Sequence, residues 1–307
     1  MRRFSFFILI FMTVLFADCN QSTNKTDALE NFKMQGKGVL LTTRFNSFEA
    51  FKKEVQIEYS KGDKSWVQLT QISNGQKIMS TLKSGISELD IIAARDGDFW
   101  DKVSLSLKSP FFVMNRKDLL GVFVLSRRKQ DQFGEGDIAF YDLANNMVQN
   151  INEKDIVLTS LEDQSEKGYI NTFNHVNAQA LMTTLFSEEL ADFVADTHER
   201  RNLPELISGE FTEEQITDIK NGPVDNYVDI VNNEWGQEMG KMLKRKYKIN
   251  RETIWTPELL ANYLNDLQSF YSWNFQIGFK PFKASDQLIK RFSYKIKSIL
   301  KSVSEFE

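Results

Sequence analysis

The sequence predicts an α+β protein, mainly α, with a mixed N-terminal part carrying short strands and an all-helical, bundle-like C-terminal part. Three observations predict it. Residues 67–70 alternate as a half-buried strand does, and Asn74-Gly75 behind them is a turn dipeptide. From residue 170 onward, apolar residues recur at helical spacing in segment after segment. Between the two parts, residues 127–135 are mostly polar and contain Gly134, which marks a boundary.

The chain opens with Arg2 and Arg3, an uncharged apolar run over residues 4–17, and then Asp18-Cys19-Asn20-Gln21-Ser22. That order is an export signal over residues 1–18, too short for a comfortable membrane span. The lone cysteine at its exit resembles the lipobox of bacterial lipoproteins, which implies lipidation of Cys19 by a diacylglyceryl group. Asp18 departs from that pattern, where a small residue is usual, so an uncleaved anchor and plain secretion stand as alternatives. Residues 19–34 read as a polar tether to the lipid.

Residues 35–130 read as the mixed region. Gly38-Val39-Leu40-Leu41 predicts a short strand. Residues 47–59 predict an amphipathic helix with Phe48, Phe51 and Val55 on one side, and residues 119–125 a buried strand. Gly134-Glu135-Gly136-Asp137 predicts a turn. The helical domain spans residues 138–307, with helices over 170–185, 187–199 and 225–247. Thr256 and Pro257 predict the N-cap and first residue of a further helix. Ser285 or Asp286 caps a last helix running to about Val303. Leu288, Ile289, Phe292, Ile296, Ile299, Leu300 and Val303 form its apolar stripe, with Lys290, Arg291, Lys295, Lys297 and Lys301 outside. A stripe of this kind docks on a core or rests on an anionic bilayer.

Composition narrows the function. Over 307 residues, 41% hydrophobic and 12% aromatic content supports a real core. A net charge of -4 argues against general nucleic-acid binding, which needs a basic surface. The single cysteine rules out an intrachain disulfide and a paired-cysteine metal site.

The only histidines, His175 and His198, both fall in the helical part. On its helix, His198 joins Leu190, Ala191, Val194 and Ala195. His175 lies beside Asn171, Gln179 and Met182. Both rings therefore point at least partly inward, where an unsatisfied nitrogen costs about 1–3 kcal/mol. Asp192, Asp196 and Glu199 fall opposite His198 on an ideal helix, an objection that weakens if the helix ends near Thr197. In the next helix, Gly236 and Gly240 form a ridge, and mid-helix glycines at this spacing predict close approach of another backbone. Asp229, Asn232 and Asn233 lie beside that ridge. Asn232 sits among Val228, Val231, Trp235, Met239 and Leu243, where an amide must be bonded.

These blocks carry a resemblance. Asn171-Thr172-Phe173-Asn174-His175, then Ala191-Asp192-Phe193-Val194-Ala195-Asp196-Thr197-His198-Glu199, then Asp229-Ile230-Val231-Asn232-Asn233-Glu234-Trp235-Gly236 resemble a family of uncharacterised bacterial lipoprotein and secreted domains. That family shares a histidine helix, an Asp-x-His-Glu helix end and an Asp-x-x-Asn-Asn-x-x-Gly helix. It implies no particular activity. Val176 departs from it, since an aromatic follows the histidine elsewhere.

Two functions remain. One is an envelope lipoprotein with a binding or structural role, joined to the membrane through Cys19, in which the polar cluster locks helix packing. The other is a metal-assisted hydrolase acting on an envelope or extracellular substrate. Its catalytic and metal-ligating residues would be His175, His198 and Asp229, with Asp196, Glu199, Asn232 and Asn233 binding or assisting. Two imidazoles and a carboxylate suit zinc or a similar divalent ion. No His-Glu-x-x-His, Gly-x-Ser-x-Gly, Walker or Gly-x-Gly-x-x-Gly pattern is present.

Overall fold

The computed structural model describes residues 38–60, 65–73, 75–158, 160–201, 203, 212, 214, 217 and 222–304. The predicted signal, Cys19 and the tether lie outside them. The fold is α+β and mainly α, with one three-stranded antiparallel sheet in the N-terminal part.

The sheet comprises β1 (Val55–Ser60), β2 (Trp66–Ser73) and β3 (Gln76–Lys83) in sequential order. In β2 the alternation works as the sequence predicts, burying Val67, Leu69, Gln71 and Ser73. Gly75 adopts φ +78° in the connection to β3, a conformation that favours glycine; Asn74 lies outside the described residues.

Three local expectations are corrected. In the predicted helix over residues 47–59, only α1 (Phe48–Lys52) is helical, capped by Ser47 accepting from the Ala50 amide at 3.1 Å. The chain then turns into β1. Phe48, Phe51 and Val55 are all buried, so their spacing served a short helix and a strand start together. The predicted strand over 119–125 is α5 (Arg116–Leu125). Its buried residues Leu119, Val122 and Leu125 are three apart, and a short apolar run cannot separate strand from helix by itself. Gly121 there admits close packing, since a Cβ would lie 3.0 Å from Phe186 and 3.1 Å from Ile299. Finally, residues 38–41 are buried but form no strand: Gly38 and Val39 are in a bend, with Gly38 at φ +122°.

Short helices fill the chain between sheet and bundle: α2 (Glu88–Asp96), α3 (Phe99–Lys108), α4 (Pro110–Met114), α6 (Gln130–Phe133) and α7 (Phe140–Gln149). The turn at residues 134–137 is present, with Gly134 and Gly136 at φ +82° and +78°. One hydrophobic cluster runs from Val39 to Ile299 and includes residues on both sides of 127–135.

The long helices are α8 (Tyr169–Leu185), α9 (Glu188–Glu199), α10 (Pro223–Lys246), α11 (Pro257–Phe275) and α12 (Gln287–Ser304). Thr256 caps α11 as expected, accepting from the Leu259 amide at 3.2 Å. Ile289, Phe292, Ile296 and Ile299 of α12 are buried, so its stripe docks on the core. Lys295, expected outside that stripe, is fully buried. Its ammonium donates to Asp137 at 2.6 Å and to the carbonyls of Arg127 and Ile138 at 2.7 and 2.8 Å, which satisfies all three protons. No helix among the described residues is long and apolar enough to cross a membrane.

Candidate metal centre

The glycine ridge sets the site. A Cβ on Gly236 would lie 2.6 Å from Gln179 Cβ and 2.7 Å from the Val176 carbonyl oxygen; one on Gly240 would lie 2.6 Å from the Ala180 carbonyl oxygen. Helices α8 and α10 therefore meet backbone to backbone, as the spacing predicts. One helical turn further along, short polar side chains from the two helices are in contact.

His175 on α8 places Nδ1 2.9 Å from the Asn233 side-chain oxygen on α10. An amide oxygen only accepts, so Nδ1 carries the proton and the Nε2 lone pair is left toward Asp229, whose Oδ2 is 3.4 Å away. Asn233 donates its other end to Glu199 at 3.2 Å, and Asn171 donates to the second Asp229 oxygen at 2.8 Å. Glu199 arrives from the last residue of α9. Ligand atoms of His175, Glu199 and Asp229 all lie within 4.8 Å of one another.

Burial governs the charges. It holds His175 down at about 4, helped by the neighbouring His198 charge. It pushes Glu199 up to about 7 and Asp229 well above the usual carboxylate range, the latter also through repulsion by Glu199 and Asp225. The His175–Asp229 contact therefore joins a neutral imidazole to a carboxyl that resists ionisation, and it is not an ion pair in the metal-free molecule. A buried set of one neutral imidazole and two carboxyls is the donor chemistry of a divalent-cation site. Around zinc the three atoms would sit roughly 3–3.5 Å apart, so closing from 4.8 Å or less is a side-chain adjustment. Asn233 and Asn171 already orient the ligands in the way outer hydrogen bonds do around bound metals.

His198 is placed differently from the predicted triad. Its ring centre is 6.3 Å from that of His175, and its Nδ1 faces Glu88 Oε1 at 3.6 Å. Glu199 stands where the sequence reading put His198. Burial works against a charged His198, yet the Glu88 contact and the Glu199 and Glu88 charges prevail and raise it. Asp196 turns to Arg200 at 2.6 Å, outside this cluster. Asn232 is fully buried, and its side chain binds both the Leu40 amide, at 2.8 Å, and the Leu40 carbonyl, at 2.9 Å. The amide placed in an apolar stripe thus holds the N-terminal segment. Glu88 was missed by the sequence reading, because nothing in spacing links it to residues more than a hundred positions away.

A cavity of about 350 Å³ opens beside the triad. His175, His198, Glu199 and Asn233 are among its polar lining residues, and Met182 and Val194 among its apolar ones. This pairing of an apolar wall with a few convergent polar groups is typical of small-molecule sites. No family model, curated protein or solved structure matches the chain.

Proposed function

We propose that this protein is a lipid-anchored component of the bacterial cell envelope that holds a divalent metal ion at His175, Glu199 and Asp229 and hydrolyses a small substrate in the adjoining cavity. The observation that carries the reading is the convergence of those three ligand atoms, from three different helices, at the edge of a cavity. A divalent ion there supplies Lewis acidity and makes bound water more acidic. Asn233 holds His175 and Glu199 in their ligating orientations. His198, with Glu88 at its Nδ1, stands on the cavity wall and is the residue placed to move a proton during turnover. The anchor rests on Cys19 at the end of an apolar, positively led N-terminal run.

Metal analysis of purified protein tests the site. Close to one equivalent of a transition metal is expected, and Asp229→Asn should lower it below about a tenth of an equivalent. Wild-type protein that refuses zinc and manganese would remove the catalytic reading. Mass spectrometry of the membrane fraction tests the anchor: a lipidated Cys19 terminus is expected, and a Cys19→Ser form should stay unprocessed.

A second reading has its own support. Asn171 and Asn233 satisfy His175, Glu199 and Asp229 by hydrogen bonds, as a cluster that only locks packing would. A metal-free wild type with unchanged melting in zinc would favour it.

A further inference from the structure

The cavity wall holds a cation outside the triad. Among the described residues lining the cavity, Arg127 carries the only fixed positive charge, and it forms no ion pair with any described residue. Its guanidinium carbon lies 4.9 Å from the centre of the Phe123 ring, a contact that leaves the in-plane N–H donors uncommitted. Its backbone carbonyl is pinned by buried Lys295 at 2.7 Å, so the residue is anchored where it meets the cavity. Partial burial pulls this guanidinium below its ordinary value, and the Glu88 charge works in the opposite direction. A partly buried guanidinium with no hydrogen-bonded carboxylate gains from an anion that joins it.

The rest of the wall defines that anion. Val122, Met182 and Val194 offer apolar surface, whereas Glu166 and Glu199 are carboxyls on the same cavity. One fixed cation on the wall matches a single negative charge. A planar fork of donors matches a carboxylate by two parallel hydrogen bonds.

We propose that the cavity binds a small monocarboxylate with an apolar chain, its carboxylate on Arg127 and its chain against Val122, Met182 and Val194. This rests on the reading of the cavity as the functional site, and it gives the class of substrate or product the site takes.

Calorimetric titration with hexanoate, and with hexanol as the uncharged control, tests it at about pH 7.5, where the acid is ionised. EDTA-treated protein, in which no ion competes for the carboxylate, should bind hexanoate at least about tenfold more tightly than hexanol. Arg127→Met should abolish that preference while zinc content and melting temperature stay unchanged; Arg127→Lys should recover part of it. Arg127→Gln serves as the neutral form if the methionine variant misfolds. Asp229, which does not line the cavity, separates the two claims: Asp229→Asn should lose zinc and keep the hexanoate preference. Equal affinity for hexanoate and hexanol in the wild type, or a hexanoate preference that survives in both neutral variants, would overturn the proposal.

Discussion

Asn233 and His175 face each other across two helices at 2.9 Å, and the amide oxygen of the first dictates which nitrogen of the second keeps its proton. The same amide reaches Glu199 at 3.2 Å. One side chain thereby presets the tautomer of an imidazole and the position of a carboxyl, and both belong to the proposed metal centre.

Removing that amide should loosen the ion without removing a ligand. Asn233→Ala is expected to weaken zinc binding by about 10- to 100-fold, the range found when outer hydrogen-bond partners of metal ligands are lost. His198→Ala should leave zinc stoichiometry intact, because His198 is not among the three converging ligands, while reducing hydrolytic turnover. Competition titration against a chromophoric chelator separates the two variants.

Zinc affinity should rise with pH. Glu199 at about 7 and Asp229 well above the usual carboxylate range must shed protons before ligating, so protons compete with the ion through neutrality. The metal-free protein should show the opposite trend. A carboxyl whose folded pKa exceeds its unfolded one contributes stability at low pH that is lost as pH rises, here from about 4.5 to 7 for Glu199. His175, held down at about 4, loses stability as pH falls from 6.5. Two acids outweigh one imidazole, so EDTA-treated protein should melt several degrees higher at about pH 5.5 than at about pH 8. Zinc should raise the melting temperature more at the alkaline end. Melting curves that are flat with pH and unaffected by zinc would contradict this account.

Gly236→Ala should be severely destabilising. Helix propensity alone favours alanine by about 1 kcal/mol. The added carbon, however, meets Gln179 Cβ at 2.6 Å and the Val176 carbonyl oxygen at 2.7 Å, neither of which can swing aside without moving α8. A net loss of about 1–3 kcal/mol by urea denaturation is expected, together with weaker zinc binding, since the ridge sets the distance between His175 and Asp229.

Asn232→Leu should unpin the N-terminal segment. It strands the Leu40 amide, while the Leu40 carbonyl still accepts from the Thr172 hydroxyl at 2.9 Å. A loss of about 2–4 kcal/mol is expected, read by denaturation. Hydrogen exchange should show early loss of protection at Val39 and Leu40, with the helical core still protected.

Helical periodicity, capping residues and the glycine pair were legible along the chain because each is a local consequence of residue type at short spacing. They placed α8, α9, α10 and α12 within a few residues, gave the start of α11, and foresaw the close contact of α8 with α10. Residues 119–125 were ambiguous because a short apolar run buries equally well in a strand or a helix; in the structure they are helical, with Gly121 close against Phe186 and Ile299.

At the centre, the sequence brought out His175, Asp229 and Asn233 but paired them with His198, since an ideal helix turned Glu199 away. Folding reversed that choice: the final turn of α9 delivers Glu199 to Asn233 and leaves His198 to Glu88, which comes from the helix that follows the sheet in the chain. Partners so distant along the chain are selected by how helices stack and what their burial demands. No spacing rule encodes that.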